Sequence, residues 1–370
     1  MNSFEPVHRA PRLITLAVTV FAVFTVAAAD PPGAAISYST LPKSSNKLRV
    51  HFIDVGAGDA ILIETPNPNQ KHIMIDGGKT GVSSVLKPYL KHFVGDNKIA
   101  LAIVTHPDYD HINGMKLVFE KYEVQKYWYT GYESSKLSDT WKELKDLVAI
   151  EPDCSVFEPI SSYAKPGEWF VIDANDASDP NDDVKLQFIN VEGNPPFLDP
   201  NSGRWFSESE RRNNASLVVK LVYHNVSFLL TGDINGRQKE HTKPIFDEEC
   251  DSVERFLVGL DSLPGVATSG FLAATVLKAP HHGSNGSSSL PFIRKVAPTW
   301  VVFCAGHEYD HPVSETMKRY ETAGVPKSHM LRTDEGDSTP ENDSLKDNIG
   351  DDTYVFETDG LTITKIVRVK

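Results

Sequence analysis

The amino-acid sequence predicts an α/β (α+β) protein in which two mixed β-sheets pack face to face and helices cover their outer sides. Strand patterns and helix patterns alternate along the chain in two successive sets. The 370 residues are 40% hydrophobic, which is enough for a large core, and 24% charged, which is ordinary for a folded protein. Because mixed α/β proteins of this length often form one unit, we expect a single domain over residues 47–370.

The amino terminus predicts a processing signal. Arg9 and Arg12 precede an apolar run from Leu13 to Ala29 that ends in small residues. This pattern is typical of a secretory signal peptide at residues 1–29, and a retained signal anchor is the alternative. We therefore expect a secreted protein without stable membrane association after cleavage. The Pro- and Ser-rich residues 30–46 are predicted to be a linker.

Glycosylation is a further expectation for a secreted chain. Sequons of the form N-x-S/T occur at Asn214, Asn225, Asn285 and Asn342. Such sequons also arise by chance, so they favour a glycoprotein only weakly.

The first set of elements precedes residue 131. KLRVHFIDVG, DAILIET and KHIMIDGG have strand patterns with short breaks, and they predict a β-meander. VSSVLKPYLKHF has the apolar spacing of a helix that Pro88 is expected to bend or delay. ALAIVTH is a short apolar run typical of a buried strand, and INGMKLVFEKY is predicted to be a helix.

Residues 131–212 are the least regular part, and they predict an irregular insertion with a few strands. Beyond them, residues 215–232 predict a hairpin with a tight turn near His224. A surface helix and loop are expected over residues 235–270. TVLKAP and TWVVFCAG predict two buried strands, VSETMKRYETAG a helix, and TYVFETDGLTITKIVRV a terminal hairpin that turns at its Asp-Gly dipeptide.

The charge balance is acidic. The chain has 37 Lys and Arg residues against 50 Asp and Glu residues, and its formal net charge is −13. Proteins that bind the phosphate backbone of DNA are usually basic. Long nucleic acid is therefore not an expected partner, and a small molecule is favoured.

The strongest chemical signal is THPDYDH at residues 105–111, directly after a buried strand pattern. His106, Asp108, Asp110 and His111 are within reach of one metal centre there. Imidazole nitrogens and carboxylate oxygens are the ligands that zinc and manganese accept.

Three other predicted strand ends share this pattern. Asp76 ends HIMIDGG, Asp233 ends VSFLLTGD, and His281 and His282 follow TVLKAP. One such residue alone is more typical of a turn or a helix cap. Together these strand ends indicate a shared site at one rim of the fold.

The motifs FIDVGAGDA, IDGG, THPDYDH, LTGD and PHHGS occur in this order. In these motifs the chain resembles the metallo-β-lactamase superfamily. Within that superfamily it is similar to the extracellular hydrolase domain of bacterial DNA-uptake (competence) proteins. The resemblance extends from about residue 48 to 320. It implies an αββα sandwich and a two-metal hydrolase.

The resemblance also assigns roles to residues. The implied metal ligands are His106, Asp108, Asp110, His111, Asp233, His281 and His282. The first two would bind one cation, and the next two would bind the second with one histidine of the His281–His282 pair. Asp233 would bridge the cations. Zn²⁺ is the favoured cofactor and Mn²⁺ the alternative.

Other residues would contact and orient these ligands without binding the cations themselves. The resemblance gives this role to Asp59, Asp76 and Asn214, with Asp76 orienting a ligand histidine. A glycan on Asn214 would conflict with this position.

The resemblance implies proton chemistry for Asp110, His282 and His311. Asp110 would orient a hydroxide shared by the two cations, and His311 or one histidine of the His281–His282 pair would protonate the leaving oxygen. Ser284 and His311 would contact the substrate. The GSNGS loop that contains Ser284 either offers backbone N–H groups to a phosphate or forms a polar turn.

One departure from the superfamily concerns the first metal. Many members have His where Asp108 stands, and a further His where this chain has Asn213 and Asn214. The first site is therefore richer in oxygen than is usual.

The favoured function is a secreted, dinuclear metal-dependent hydrolase of a phosphodiester, because hard cations bind phosphate oxygens well. One alternative keeps the enzyme but changes the substrate to a lactone, a β-lactam or another acyl compound. The other is a secreted binding module that keeps the fold without turnover.

Overall fold

The computed structural model describes residues 29–79, 81–133, 138–173, 183–200, 203–246, 248–262, 270–335 and 349–370. The predicted signal peptide, apart from Ala29, and the sequon at Asn342 lie outside these ranges. Within them, no helix combines the length and apolar character needed to span a membrane.

The described strands form two sheets. In chain order the strands are β1 (Leu48–Phe52), β2 (Ile61–Glu64), β3 (His72–Ile75), β4 (Leu101–Val104), β5 (Lys126–Tyr129), β6 (Ser155–Phe157), β7 (Trp169–Asp173), β8 (Val184–Asn190), β9 (Val218–Tyr223), β10 (Val226–Leu230), β11 (Val276–Lys278), β12 (Trp300–Phe303), β13 (Met330–Arg332), β14 (Thr353–Thr358) and β15 (Ile363–Val369). The first sheet has the order β15-β14-β1-β2-β3-β4-β5-β6, and the second has the order β13-β12-β11-β10-β9-β8-β7.

Both sheets are mixed, and each has a parallel half. In the first sheet β3, β4, β5 and β6 run parallel, while the remaining neighbours are antiparallel. In the second sheet β10, β11, β12 and β13 run parallel. The carboxyl ends of parallel strands meet at one edge of a sheet, which is where ligand sites usually form in α/β proteins.

Six of the seven described helices cover the outer faces of the two sheets. In chain order the seven are α1 (Ser83–Phe93), α2 (Tyr109–Lys121), α3 (Asp139–Ile150), α4 (Glu208–Asn214), α5 (Ser252–Leu260), α6 (Leu290–Val296) and α7 (Ser314–Thr322). Of these, α4 lines the cleft described below. One apolar cluster joins the inner faces of the sheets, for example Phe52 with Leu186. A second cluster lies between the first sheet and α1, α2 and α3, and a third between the second sheet and α5, α6 and α7. The predicted four-layer arrangement is confirmed.

The sequence-based expectations for most elements agree with this fold. The meander is β1-β2-β3, the helix containing Pro88 is α1, and residues 215–232 form the β9–β10 hairpin. The terminal hairpin β14–β15 pairs with β1 and so returns to the first sheet. Short, alternating apolar runs therefore predicted the strand positions well.

Two regions are more ordered than the sequence predicts. Residues 131–212, expected to be an irregular insertion, contain α3, α4, β6, β7 and β8, and these strands complete the edges of both sheets. Edge strands are half-exposed, so their apolar pattern is weak; β6 and β7 carry exposed residues such as Val156 and Trp169. Residues 30–46, expected to be a linker, pair with β15 through Ile36 and bury Leu41.

Candidate metal centre

Four strand ends bring the predicted chemical residues together. Asp76 follows β3 and the THPDYDH segment follows β4, both from the parallel half of the first sheet. Asp233 follows β10, and the His281–His282 pair follows β11 in the second sheet. Because the sheets pack face to face, these ends meet above the core between them.

Asp233 lies at the middle of this group. Its Oδ2 atom is 3.1 Å from His282 Nε2, 3.4 Å from His111 Nε2, 3.9 Å from His106 Nε2 and 3.9 Å from His281 Nε2. One carboxylate oxygen therefore faces four imidazoles contributed by both sheets. A carboxylate in this position can connect two cation sites.

Three of these imidazoles present a free nitrogen to the centre. The Nε2 atoms of His106, His111 and His282 are buried and have no hydrogen-bond partner. The other ring nitrogens are held: His111 Nδ1 is 2.8 Å from Asp76 Oδ2, and His282 Nδ1 donates to the Cys304 carbonyl at 2.7 Å. Hydrogen bonds of this kind fix ring orientation at metal sites. Buried, unpartnered nitrogens aimed at one carboxylate fit a divalent cation.

The side of the centre formed by Asp110, His111 and His282 is compact. One ligand atom from each lies within 4.8 Å of the others, and Asp110 Oδ2 is 3.7 Å from His282 Nε2. His106, His111 and Asp233 form a second group that meets the same distance limit. Two adjoining sets of potential ligands therefore share His111.

Asp76 holds the end of β4 in place. Its carboxylate accepts hydrogen bonds from the backbone N–H of Thr105 at 2.8 Å and from its hydroxyl at 2.6 Å, besides facing His111. Asp76 itself has a positive φ of 54°, a conformation that is uncommon for a non-glycine residue. Asp76 thus holds both Thr105 and His111, and its supporting role at a metal site stays a prediction.

The histidine pair is held in an unusual backbone conformation. His281 and His282 have φ values of 47° and 54°, so two successive non-glycine residues are left-handed. Such strain often accompanies functional sites. It turns His282 toward Asp110 and His111, whereas His281 lies beside Asn213 and Asn235.

Two basic residues, which the sequence did not single out, contact the site carboxylates. Lys278 is fully buried, with Nζ 2.7 Å from Asp59 Oδ2 and 3.3 Å from Asp233 Oδ1. Arg212, on α4, donates from Nε to Asp108 Oδ1. A lysine inside the apolar run TVLKAP was the available signal for the first, whereas nothing in the sequence indicated the second.

The centre is formally negative. Its carboxylates belong to Asp59, Asp76, Asp108, Asp110 and Asp233. Against these five negative charges stand Lys278 and Arg212, so five minus two leaves three negative charges when the imidazoles are neutral, the form in which they bind a cation. Uncompensated buried charge is costly, and divalent cations would neutralise it.

The imidazoles respond to this environment in different ways. Burial and the neighbouring His111 lower the pKa of His106 to about 3. Burial also opposes a charge on His282, but Asp233 outweighs it and raises the pKa of His282 to about 9. Burial raises the pKa of Asp110. The positive charge of the metal-free site is therefore concentrated around Asp233.

Asn214 is linked to the imidazoles through one intervening side chain, that of Asn235. Its Oδ1 accepts hydrogen bonds from the backbone and side chain of Asn235, and Asn235 Oδ1 is 3.1 Å from His281 Nδ1. Asn214 and Asn285 are buried, whereas Asn225 is exposed in the β9–β10 turn. Of the sequons in the described ranges, Asn225 is thus the one accessible to a glycan.

The loop that follows the histidine pair is fixed internally. The N–H groups of Ser284, Gly286 and Ser287 donate within the loop, and those of Ser288 and Ser289 donate to Glu254. A phosphate cradle formed by these backbone groups is therefore not supported. Ser284 still lines the cleft that leads to the centre.

A cleft of about 740 Å³ opens over the centre. Asp108, Asp110, Asp233, His281, His282 and His311 line it, together with the basic residues Arg204, Arg212, Arg237 and Lys239. His311 lies 5.9 Å from His281 between ring centroids. Burial lowers the pKa of His311 to about 3, so its imidazole is neutral near pH 7.

Comparisons with known proteins agree with the predicted resemblance. Residues 53–193 match the family model of the metallo-beta-lactamase superfamily. The chain is 25% identical over 312 residues to ComE operon protein 3 of Bacillus subtilis (strain 168), covering 80% of this chain and 33% of that protein. It is 23% identical over 306 residues to Competence protein ComA of Neisseria gonorrhoeae, covering 81% and 33% respectively.

The chain therefore spans about a third of the length of these curated relatives. A crystal structure of the metallo-beta-lactamase fold protein YhfI from Bacillus subtilis aligns with a TM-score of 0.40 and 9% sequence identity, covering 77% of this chain and 95% of that one. The predicted resemblance to the metallo-β-lactamase superfamily and to competence proteins is confirmed.

Proposed function

We propose that this chain is a secreted metal-dependent hydrolase that cleaves a phosphodiester. The observation that carries the proposal is the position of Asp233 Oδ2, within 3.9 Å of the Nε2 atoms of four histidines. Three of those nitrogens are buried without a partner. Zn²⁺ is the favoured cofactor and Mn²⁺ the alternative, because the donor set mixes imidazole with carboxylate.

The residues divide the work in the following way. Divalent cations held by the histidines and by Asp108, Asp110 and Asp233 would supply Lewis-acid chemistry to the substrate. Asp110 would accept the proton of the attacking water, since its carboxylate is almost fully buried and faces the cleft. His311, which lines the same cleft, would contact the leaving group.

Phosphodiesters are favoured over neutral acyl substrates by the basic side chains that line the cleft. The chain as a whole is acidic, with a formal net charge of −13. The cleft nevertheless contains four basic residues, Arg204, Arg212, Arg237 and Lys239, beside its five acidic ones, Asp108, Asp110, Glu210, Asp233 and Glu240. Basic side chains around a metal centre attract an anionic substrate and stabilise charge that develops on phosphate oxygens.

A small phosphodiester is the proposed substrate. The acidic surface disfavours long duplex DNA, whereas the similarity to competence proteins makes short single-stranded DNA a necessary member of the test panel. The apolar run that ends at Ala29 supports secretion, and amino-terminal sequencing of protein from the culture medium should begin near Asp30.

The test is a substrate panel with Zn²⁺ and Mn²⁺ supplied in turn. It contains bis(p-nitrophenyl) phosphate, a choline-type phosphodiester, short single-stranded DNA, nitrocefin and a lactone. We expect phosphodiester cleavage that Asp233→Asn reduces at least about a hundredfold, and that the exposed control Glu143→Gln leaves unchanged. Nitrocefin or lactone opening without phosphodiester cleavage would replace the proposal with an acyl hydrolase. A folded protein that binds no metal would indicate a binding module.

A further inference from the structure

Asp108 is paired with a basic side chain rather than left open to the centre. Arg212 Nε donates to Asp108 Oδ1, and Nη2 lies 3.5 Å from Oδ2. The two side chains are 27% and 20% exposed, and both line the cleft. A cation that approaches Asp108 therefore meets a guanidinium that already occupies both carboxylate oxygens.

Asn213 adds to this engagement. In the amide orientation that satisfies both of its polar atoms, Asn213 Nδ2 donates to Asp108 Oδ2 at 3.3 Å and to the Ser209 carbonyl at 3.2 Å. His106 Nε2 lies 3.9 Å from the same Oδ2 atom and has no partner. In the first predicted metal site, the His106 imidazole is thus unpartnered, whereas the Asp108 carboxylate is already hydrogen-bonded.

The other side of the centre has no such competitor. Among the ion pairs of the described residues, Asp110 meets only His282. Ligand atoms of Asp110, His111 and His282 already lie within 4.8 Å of one another. A cation there displaces no lysine or arginine from its ligands.

We infer that the centre loads its two divalent cations with unequal affinity, and that Arg212 sets the weaker one by competing for Asp108. Arginine paired with a carboxylate through two hydrogen bonds forms one of the strongest polar contacts on a protein surface. A cation must break that pair, and two positive charges on one carboxylate repel each other. Arg212 is thus a positioning residue whose partial exposure lets its side chain move into the cleft.

This inference rests on the metal site of the proposed function, and metal binding without substrate tests it. The chelator-treated full chain is titrated calorimetrically with Mn²⁺ and with Zn²⁺, and bound metal is counted by elemental mass spectrometry. We expect two steps of different affinity in the wild type. Arg212→Gln should raise the affinity of the weaker step roughly tenfold or more and leave the tighter step unchanged. Arg212→Lys keeps the charge but loses the paired geometry, so the affinity of its weaker step should lie between those of the wild type and Arg212→Gln.

The matched control is Arg204→Gln. Arg204 lines the same cleft and is 24% exposed, but its Nη1 contacts Glu210 at 2.7 Å and not a carboxylate of the centre. Removing its charge should leave both binding steps unchanged. Thermal unfolding of each variant verifies that it is folded.

Three results would overturn the inference. They are two equal binding steps in the wild type, an unchanged weaker step in Arg212→Gln, or an equal gain in Arg204→Gln. Phosphodiesterase activity measured on the same samples separates the two proposals. Equal steps in an active enzyme remove only this inference, whereas a chain that binds no metal removes both.

Discussion

Lys278 and Asp233 form an ion pair inside the protein, with Lys278 Nζ 3.3 Å from Asp233 Oδ1 and 2.7 Å from Asp59 Oδ2. The pair occupies one oxygen of Asp233 and leaves Oδ2 facing the histidines. Removing one member of a buried pair leaves an uncompensated charge. The lysine therefore both neutralises and orients the central carboxylate.

Lys278→Met should lower the free energy of unfolding of the chelator-treated protein by about 3 kcal/mol or more. Urea unfolding measures it. Lys220→Met is the control, because Lys220 is a buried lysine of the same sheet that contacts the carbonyls of Gly270 and Phe271 instead of a carboxylate. Added Mn²⁺ should restore part of the lost free energy of unfolding in Lys278→Met but not in Lys220→Met, since a cation on Asp233 would replace the lost charge. Equal losses in both variants would contradict this account.

Gly58→Ala should lower hydrolysis about a hundredfold, because a misplaced catalytic group costs about that much. A Cβ atom on Gly58 would lie 2.0 Å from the backbone oxygen of Asp110, and the φ of Gly58 is +126°. The substitution must therefore displace the start of α2. Gly259→Ala is the matched control: it adds the same methyl group in α5 where no atom lies within 4 Å. Steady-state kinetics compares them, and equal activities would refute the close-approach argument.

Glu64→Gln should lower the free energy of unfolding most at neutral pH. Burial opposes the charge of Glu64, but a hydrogen bond from His51, the nearby His72 and the charge of Arg49 lower its pKa to about 2, from an ordinary value of 4.5. A lowered folded-state pKa contributes stability above pH 4.5 and loses it as the pH falls toward 2. The shift corresponds to roughly 3 kcal/mol.

The measurement for Glu64→Gln is urea unfolding between pH 2 and 7. The difference in free energy of unfolding between Glu64→Gln and the wild type should be largest at pH 7 and disappear near pH 2. Glu143→Gln, at an exposed surface pair, should show no such trend. A difference that is independent of pH would show that Glu64 acts through packing rather than charge.

Expression in a eukaryotic secretory host should place a glycan on Asn225 and none on Asn214 or Asn285. Asn225 is exposed in the turn between β9 and β10, while the other two are buried. Asn225→Gln should therefore lose one glycan mass, as read by intact-protein mass spectrometry. Asn285→Gln should leave the glycan pattern unchanged, and a glycan found on Asn214 would be incompatible with the structure.

The sequence predicted the fold and the gathering of the chemical residues for one physical reason. Asp76, His106 and Asp233 each follow a short buried strand, and strand ends in packed sheets meet at one edge. Their roles as ligands or supporting groups remain predictions.

The basic partners of the centre could not be predicted in the same way. Arg212 meets Asp108 across 104 positions of the chain, and no local pattern encodes such a contact. The edge strands β6 and β7 were expected only as unplaced strands of an irregular insertion, because a half-exposed strand has little apolar periodicity. Long-range polar pairing and sheet borders depend on tertiary context rather than on local spacing.

The two sheets supply the central imidazoles in equal shares, with His106 and His111 from one and His281 and His282 from the other. Cations bound between them would link the two sheets. The full set of ligands exists only while the two sheets are packed together, because each sheet supplies only part of it. Bound cations would therefore stabilise the docked state of the two sheets, and removing them should make partial opening of the chain easier.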